Sequence, residues 1–188
     1  MDQNEILKEL NSRLTPKRYK HSLHVAEKAV DLALSHNLDI EITEQAALLH
    51  DIAKDLSLDE SKKKAEEYKI VLSEEELFNT GLIHSKIGKE ILEKELKITH
   101  PEILNTVLHH TTGYPGMSDI ELAVYVADYL DPNKKLKNYE LIAKISRKNL
   151  YQASILVSVA KLDYVIHSLK TVNINSILFY NWLLTKRA

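Results

Sequence analysis

Apolar residues recur at helical spacing along nearly the whole chain. In residues 16–36, Leu23, Ala26, Ala29, Val30, Ala33 and Leu34 fall on one face, with Thr15 and Pro16 placed as N-cap and first helical residue and Asn37 as the end. Thr43 is the expected cap of a helix through "EQAALLHDIAK". Ser57 with Glu60, Ser73 with Glu76 and Ser118 with Glu121 have capping-box spacing. The same periodicity runs through "SKIGKEILEKEL", "PEILNTVLHH" and "DIELAVYVADYL", and two or three more helices are expected between about Tyr139 and Lys186. The strand-like run "YKIVLS", residues 68–73, cannot make a sheet alone. The pattern predicts an all-α bundle of roughly eight to ten helices with no significant sheet.

Composition narrows this picture. A chain of 188 residues suffices for one sizeable core, so a single domain over 1–188 is expected. Only four glycines and four prolines favour helices joined by short connections. The net charge of -2 gives no electrostatic footprint for a nucleic-acid polymer. The absence of cysteine excludes disulfides, thiol catalysis and Cys-ligated metal centres. The start, "MDQNEILKELNSRL", has no apolar core of signal-peptide length and no segment reads as a membrane span, so a cytoplasmic protein without a membrane partner is expected.

Charge in apolar surroundings points to chemistry. His50 and Asp51 lie within "AALLHDIAKD", enclosed by Ala46, Ala47, Leu48, Leu49, Ile52 and Ala53. Asp128 follows Val124, Val126 and Ala127. An ionised carboxylate in such a place costs several kcal/mol unless it is paired or binds a metal. A nearby Lys, Arg or backbone N–H would satisfy either acid singly. The set as a whole, His21, His50 with Asp51, His84, His109 with His110, and Asp128, instead suits Fe, Mn, Co, Ni or Zn. Helical spacing puts Arg18 beside His21, and Lys54 beside His50 and Asp51, where cations can hold phosphoryl oxygens or pair with the acids.

The ordered set H…HD…H…H…D across residues 15–135 resembles the HD-domain superfamily of metal-dependent phosphohydrolases. Within it, "RYKHSLHVAEKA", "LLHDIAKD", "HSKIG", "HTTGYPGMS" and "VYVADYLDPNK" are similar to the YqeK-like symmetrical bis(5'-nucleosyl)-tetraphosphatases, with residues 136–188 as a helical extension. That family cleaves diadenosine tetraphosphate into two ADP, with iron implicated. The resemblance therefore implies a transition metal, iron first and Mn, Co, Ni or Zn as alternatives, with a second metal position left open. It implies His21, His50, Asp51 and Asp128 as metal ligands. His84 and His110 would face the phosphates or complete a second position, and Arg18, Lys54 and Lys134 would contact phosphates. Lys134 stands where the family usually has arginine, and Asp131 where it has glutamate; lysine keeps the charge but loses the bidentate fork.

The expected chemistry is attack by a metal-bound hydroxide inside the tetraphosphate, with Asp51 as ligand and orienter, His84 or His110 as proton donor to the leaving oxygen, and Thr111 lining the pocket. The partner is then a small nucleotide with an ADP- or GDP-like product; a homodimer is left open. Alternatives are a broader nucleotidase acting on mononucleotides and a non-catalytic nucleotide sensor. A guanosine tetraphosphate hydrolase would show an acidic pair where this chain has Lys54 and Asp55. The tripeptide "GYP" follows His109 and His110 too closely, and without the glutamate, for a cyclic-dinucleotide phosphodiesterase. His24, His36, His100 and His167 are expected outside the site, and His110 rather than His109 inside it.

Overall fold

The computed structural model describes residues 1–78, 80–132, 136 and 138–186. Among these are ten α-helices, α1 (Gln3–Arg13), α2 (Pro16–His36), α3 (Ile40–Leu49), α4 (Leu58–Tyr68), α5 (Thr80–Lys94), α6 (Pro101–His109), α7 (Asp119–Tyr129), α8 (Tyr139–Ser146), α9 (Leu150–His167) and α10 (Ile174–Thr185), and no strand. A 3-10 turn, Glu76–Phe78, precedes α5, and the Glu76 side chain accepts the Ser73 N–H at 2.8 Å.

Local chemistry sets the boundaries of the helices that carry the site. Thr15 caps α2 by accepting the Arg18 N–H, Pro16 occupies its first turn, and Asn37 ends it in the left-handed region at φ 54°. Ser57 with Glu60 and Ser118 with Glu121 close complete capping boxes at α4 and α7. The helix after α2 departs from expectation. Asp39, not Thr43, caps α3, accepting the Ile42 N–H at 2.9 Å. Thr43 is buried within the helix and its hydroxyl donates back to the Asp39 carbonyl at 2.6 Å. The left-handed Asn37 turns the chain so sharply that α3 starts early, and the nearer carboxylate takes the cap.

A second departure matters more. The helical run through "LLHDIAK" stops at Leu49, and residues 50–55 form tight turns, with Ile52 N–H on the Leu49 carbonyl at 3.1 Å and Lys54 N–H on Asp51 at 2.9 Å. In a regular helix, consecutive side chains diverge by about 100°. His50 itself keeps helical dihedrals, φ -53° and ψ -36°, and its Nε2 lies 3.5 Å from Asp51 Oδ2.

The bundle is organised around α7, in which residues Leu122 to Ala127 are all buried. It packs against α2, α3, α6 and α9; α5 lies on α6 and α4, and α9 on α8 and α10. Residues apolar on every side must be central to the core, and α7 is. The α5–α6 approach depends on Gly88, where a Cβ would fall 3.0 Å from Val107 Cγ1. That close contact brings the second turn of α5, with His84, to the end of α6, with His110.

Candidate metal centre

Four histidines and Asp51 converge inside the bundle from α2, the α3 end, α5 and α6. Asp51 is 3% exposed, and His21, His50, His84 and His110 are all buried. Asp51 Oδ1 lies 3.1 Å from His84 Nε2 and 3.3 Å from His110 Nε2, while Oδ2 lies 3.5 Å from His50 Nε2 and 3.7 Å from His21 Nε2. Asp128, from α7, puts Oδ1 3.3 Å from His21 Nε2.

The other nitrogen of three of these rings is already committed. His50 Nδ1 donates to the Ala47 carbonyl at 2.6 Å, His110 Nδ1 to the Val107 carbonyl at 2.8 Å, and His21 Nδ1 to the Asp131 carboxylate at 2.6 Å. A carbonyl or carboxylate can only accept, so each of these Nδ1 atoms carries a proton and each ring turns its Nε2 inward. This is how proteins orient metal-binding imidazoles. His21 Nε2 and His50 Nε2 are buried without a hydrogen-bond partner. His21 Nε2 faces the Asp128 oxygen at 3.3 Å. Buried carboxylate oxygens and ring nitrogens held this close need a proton or a cation among them.

The spacing fits such a cation. Donor atoms of His21, His50 and Asp51 all lie within 4.8 Å of one another, as do those of Asp51, His84 and His110. Ligands about 2.0–2.2 Å from one ion stand at similar separations, and mixed imidazole and carboxylate donors suit a divalent transition metal. Asp51 belongs to both groups.

Protonation follows from the same contacts. Burial alone would raise Asp51, but His50 beside it and the rings of His110 and His84 outweigh burial and hold its carboxyl well below the usual range. Burial would lower His50, yet neighbouring Asp51, helped by Asp128, raises it. His110 is pushed down to about 3, first by burial and then by the nearby His50 and His84, against the pull of Asp51. It is therefore neutral near physiological pH, the form that binds a metal.

The cations take places that their spacing left open. Arg18 Nη1 sits 2.8 Å from Asp51 Oδ2, with Nε 3.9 Å from Asp55, and Lys54 Nζ is 3.9 Å from Asp51 Oδ1. Both pair with the acid, although each stays part-exposed at the rim. Lys54 Nζ also lies 3.3 Å from both ring nitrogens of His84. The Thr111 hydroxyl lies 3.1 Å from His110 Nε2 and 3.3 Å from His84 Nε2. Lys134 lies outside the described residues.

The remaining histidines have other partners. His109 donates from Nδ1 to buried Glu121 at 2.6 Å and stacks on Tyr114 at 4.7 Å. His36 Nε2 reaches the Ser146 carbonyl at 2.6 Å, and His167 bonds within its own helix. His100 caps α6 through its backbone. His24 stands 3.5 Å from Asp131, behind His21.

Two residues of the site were not singled out from sequence. Asp131 holds His21, and its signal was a second carboxylate closing the apolar run of α7. Lys161, on α9, lies 3.5 Å from Asp128 Oδ2. Its signal was a lone cation after a long uncharged stretch, the counterpart of the buried acids.

A helical bundle around a buried histidine–aspartate dyad defines a metal-binding scaffold, and sequence comparison agrees. The HD domain family model matches residues 18–133, and the chain belongs to the HD-domain family. It is 29% identical over 191 residues to the symmetrical bis(5'-nucleosyl)-tetraphosphatase of Bacillus subtilis, covering 98% of this chain and 99% of that protein. The protein of the same name from Halalkalibacterium halodurans is 29% identical over 189 residues, covering 100% of both. The crystal structure of an HD superfamily hydrolase from Clostridium acetobutylicum, described as involved in NAD metabolism, superposes with a TM-score of 0.93 at 31% identity, covering 99% of this chain and 98% of that one. Among the described residues no helix is long and apolar enough to cross a membrane.

Proposed function

We propose that this protein is a metal-dependent hydrolase that cleaves diadenosine tetraphosphate symmetrically into two ADP. The observation that carries the reading is the convergence of buried, inward-turned Nε2 atoms and carboxylate oxygens on Asp51. The full-length similarity to two symmetrical tetraphosphatases supports the substrate.

His21, His50, Asp51 and Asp128 are the residues assigned to the metal, with His84 and His110 beside a second position that shares Asp51. Iron is the proposed metal; the imidazole and carboxylate donors also suit Mn, Co, Ni and Zn. When bound, such an ion polarises a phosphoryl oxygen and lowers the pKa of a nearby water. Asp51 orients the attacking water toward a phosphorus inside the tetraphosphate. Arg18, Lys54 and Lys134 balance charge on the chain of phosphates, with Arg18 and Lys54 exchanging part of their hold on Asp51 for phosphoryl oxygens. His110 has its Nδ1 proton committed to Val107 and is held down at about 3, so its Nε2 acts as an acceptor. Delivery of the proton to the leaving ADP oxygen then falls to His84, with the Lys54 ammonium 3.3 Å from its ring. His21 and Thr111 complete the substrate side. The whole chain acts as one cytoplasmic domain on a small nucleotide.

The test is to measure iron, manganese and zinc in purified protein and then follow diadenosine tetraphosphate by chromatography. ADP as sole product is expected; ATP with AMP, or no turnover with any metal, would sink the reading. Asp51→Ala should lose both metal and activity and His24→Ala neither. Full activity in Asp128→Ala would refute the site.

A further inference from the structure

Lys161 lies on α9, beyond the residues matched by the family model, yet it reaches the centre of the site. Its Nζ donates to the His110 carbonyl at 3.1 Å and lies 4.0 Å from the centre of the Tyr125 ring. Both partners are neutral. The carbonyl belongs to the C-terminal end of α6, where the helix dipole favours a cation. The Tyr125 ring is fully buried and held edge-on by Phe179 at 5.1 Å, so it cannot turn away. The position of the ammonium is thus fixed by α6 and α7, whatever the nearby acid does.

That acid is Asp128, one helical turn beyond Tyr125 on the face of α7 turned to α9. Its two oxygens are divided: Oδ2 lies 3.5 Å from Lys161 Nζ, and Oδ1 lies 3.3 Å from His21 Nε2. A carboxylate that kept both oxygens toward the cluster would give up the 3.5 Å contact with Lys161. One that swung both toward Lys161 would take its oxygen from His21 Nε2 and leave that nitrogen only Asp51 Oδ2 at 3.7 Å. With the ammonium pinned, only one orientation serves both sides.

We propose that Lys161 is a positioning residue that acts through Asp128: it engages Oδ2 and so presents Oδ1 alone to the metal-capable cluster. The proposal rests on the reading of His21, His50, Asp51 and Asp128 as the metal-holding set. It gives the C-terminal helices a part in the site itself.

The experiment is Mn²⁺ titration of chelator-stripped full-length protein, read by electron paramagnetic resonance, on wild type, Lys161→Met, Lys161→Arg, Asp128→Asn and the double variant Lys161→Met/Asp128→Asn. Losing an orienting partner behind a ligand weakens metal binding by roughly tenfold or more, and that is the expected loss in Lys161→Met. Lys161→Arg should recover most of it, and Lys161→Met should add nothing once Asp128 is Asn. Unchanged or tighter Mn²⁺ binding in Lys161→Met would show the lysine to be a competing cation and overturn the proposal, as would a loss of the same size in the Asp128→Asn background. If Lys161→Met does not fold, Lys161→Gln, which keeps a donor for the His110 carbonyl without the charge, takes its place in the same cycle. A wild-type protein that takes up no Mn²⁺ would overturn the metal-site reading and this proposal with it, whereas the other outcomes bear on Lys161 alone.

Discussion

His84 Nε2 and His110 Nε2 stand 3.0 Å apart, one from α5 and one from α6, and both lie against the same oxygen of Asp51. With His110 Nδ1 donating to Val107, its Nε2 is an acceptor, so the pair marks a point where a proton or a cation is held. Each should therefore count in turnover: His84→Ala and His110→Ala are each expected to lower kcat/KM for diadenosine tetraphosphate about 10²–10⁴-fold. His109→Ala should instead leave turnover near wild type and cost about 1–3 kcal/mol of stability, because it removes the donor to one oxygen of buried Glu121. Steady-state ADP release and urea unfolding separate the two behaviours.

Asp131 fixes the tautomer of His21 through the 2.6 Å bond to Nδ1. Asp131→Ala is expected to weaken metal binding by about 10–100-fold, while Asp131→Asn, whose amide oxygen can still accept from Nδ1, should lose much less. Isothermal titration with Mn²⁺ on stripped protein reads both; equal losses in the two variants would contradict the orienting role.

Gly113 ties the loop after His110 to the C-terminal helix. Its φ is +73°, and a Cβ there would fall 2.1 Å from Cδ1 of Phe179, a fully buried ring. Gly113→Ala combines backbone strain with overpacking against a ring that also supports Tyr125, and should cost about 2–4 kcal/mol. Thermal unfolding checks the magnitude; a change within a few tenths would mean that α10 yields freely.

Glu95 gathers α1 and α4 onto the end of α5. It lies 2.9 Å from Arg13 and 2.7 Å from Lys64, and also accepts from the Tyr68 hydroxyl. Burial would raise its carboxyl, but the bonds from Lys64, Tyr68 and Arg13 hold it down at about 2, against an ordinary 4.5. A carboxyl lowered on folding gives stability that is full above pH 4.5 and lost as pH falls toward 2. The site is part-exposed, so solvent screening limits Glu95→Gln to about 1 kcal/mol at pH 7. The difference from wild type in urea unfolding should narrow steadily below pH 4.5. A difference that holds constant down to pH 3 would contradict the lowered carboxyl.

Much of this protein is legible along the chain because its signals are local. Helices α2, α4 and α7 follow from caps and periodicity read within a few residues of each end, and the acids Asp51 and Asp128 stand out because their apolar neighbours in sequence cannot stabilise a charge. His110 is separated from His109 by which side of one short helix each occupies. Thr43 failed as a cap since the competing Asp39 gains its place only from the turn that Asn37 makes.

What the tertiary structure decided is everything that needs two helices at once. The Gly88 contact that brings α5 onto α6 and the pairing of Arg18 with Asp51 both depend on distances between segments apart in sequence. So do the roles of Asp131 and Lys161, which are ordinary polar residues until a ring from α2 or a carboxylate from α7 is set beside them. The sequence by itself determined which residues could not remain buried alone; only the packing of the bundle decided which partner each of them met, because a side chain carries its charge with it but acquires its neighbours from the fold.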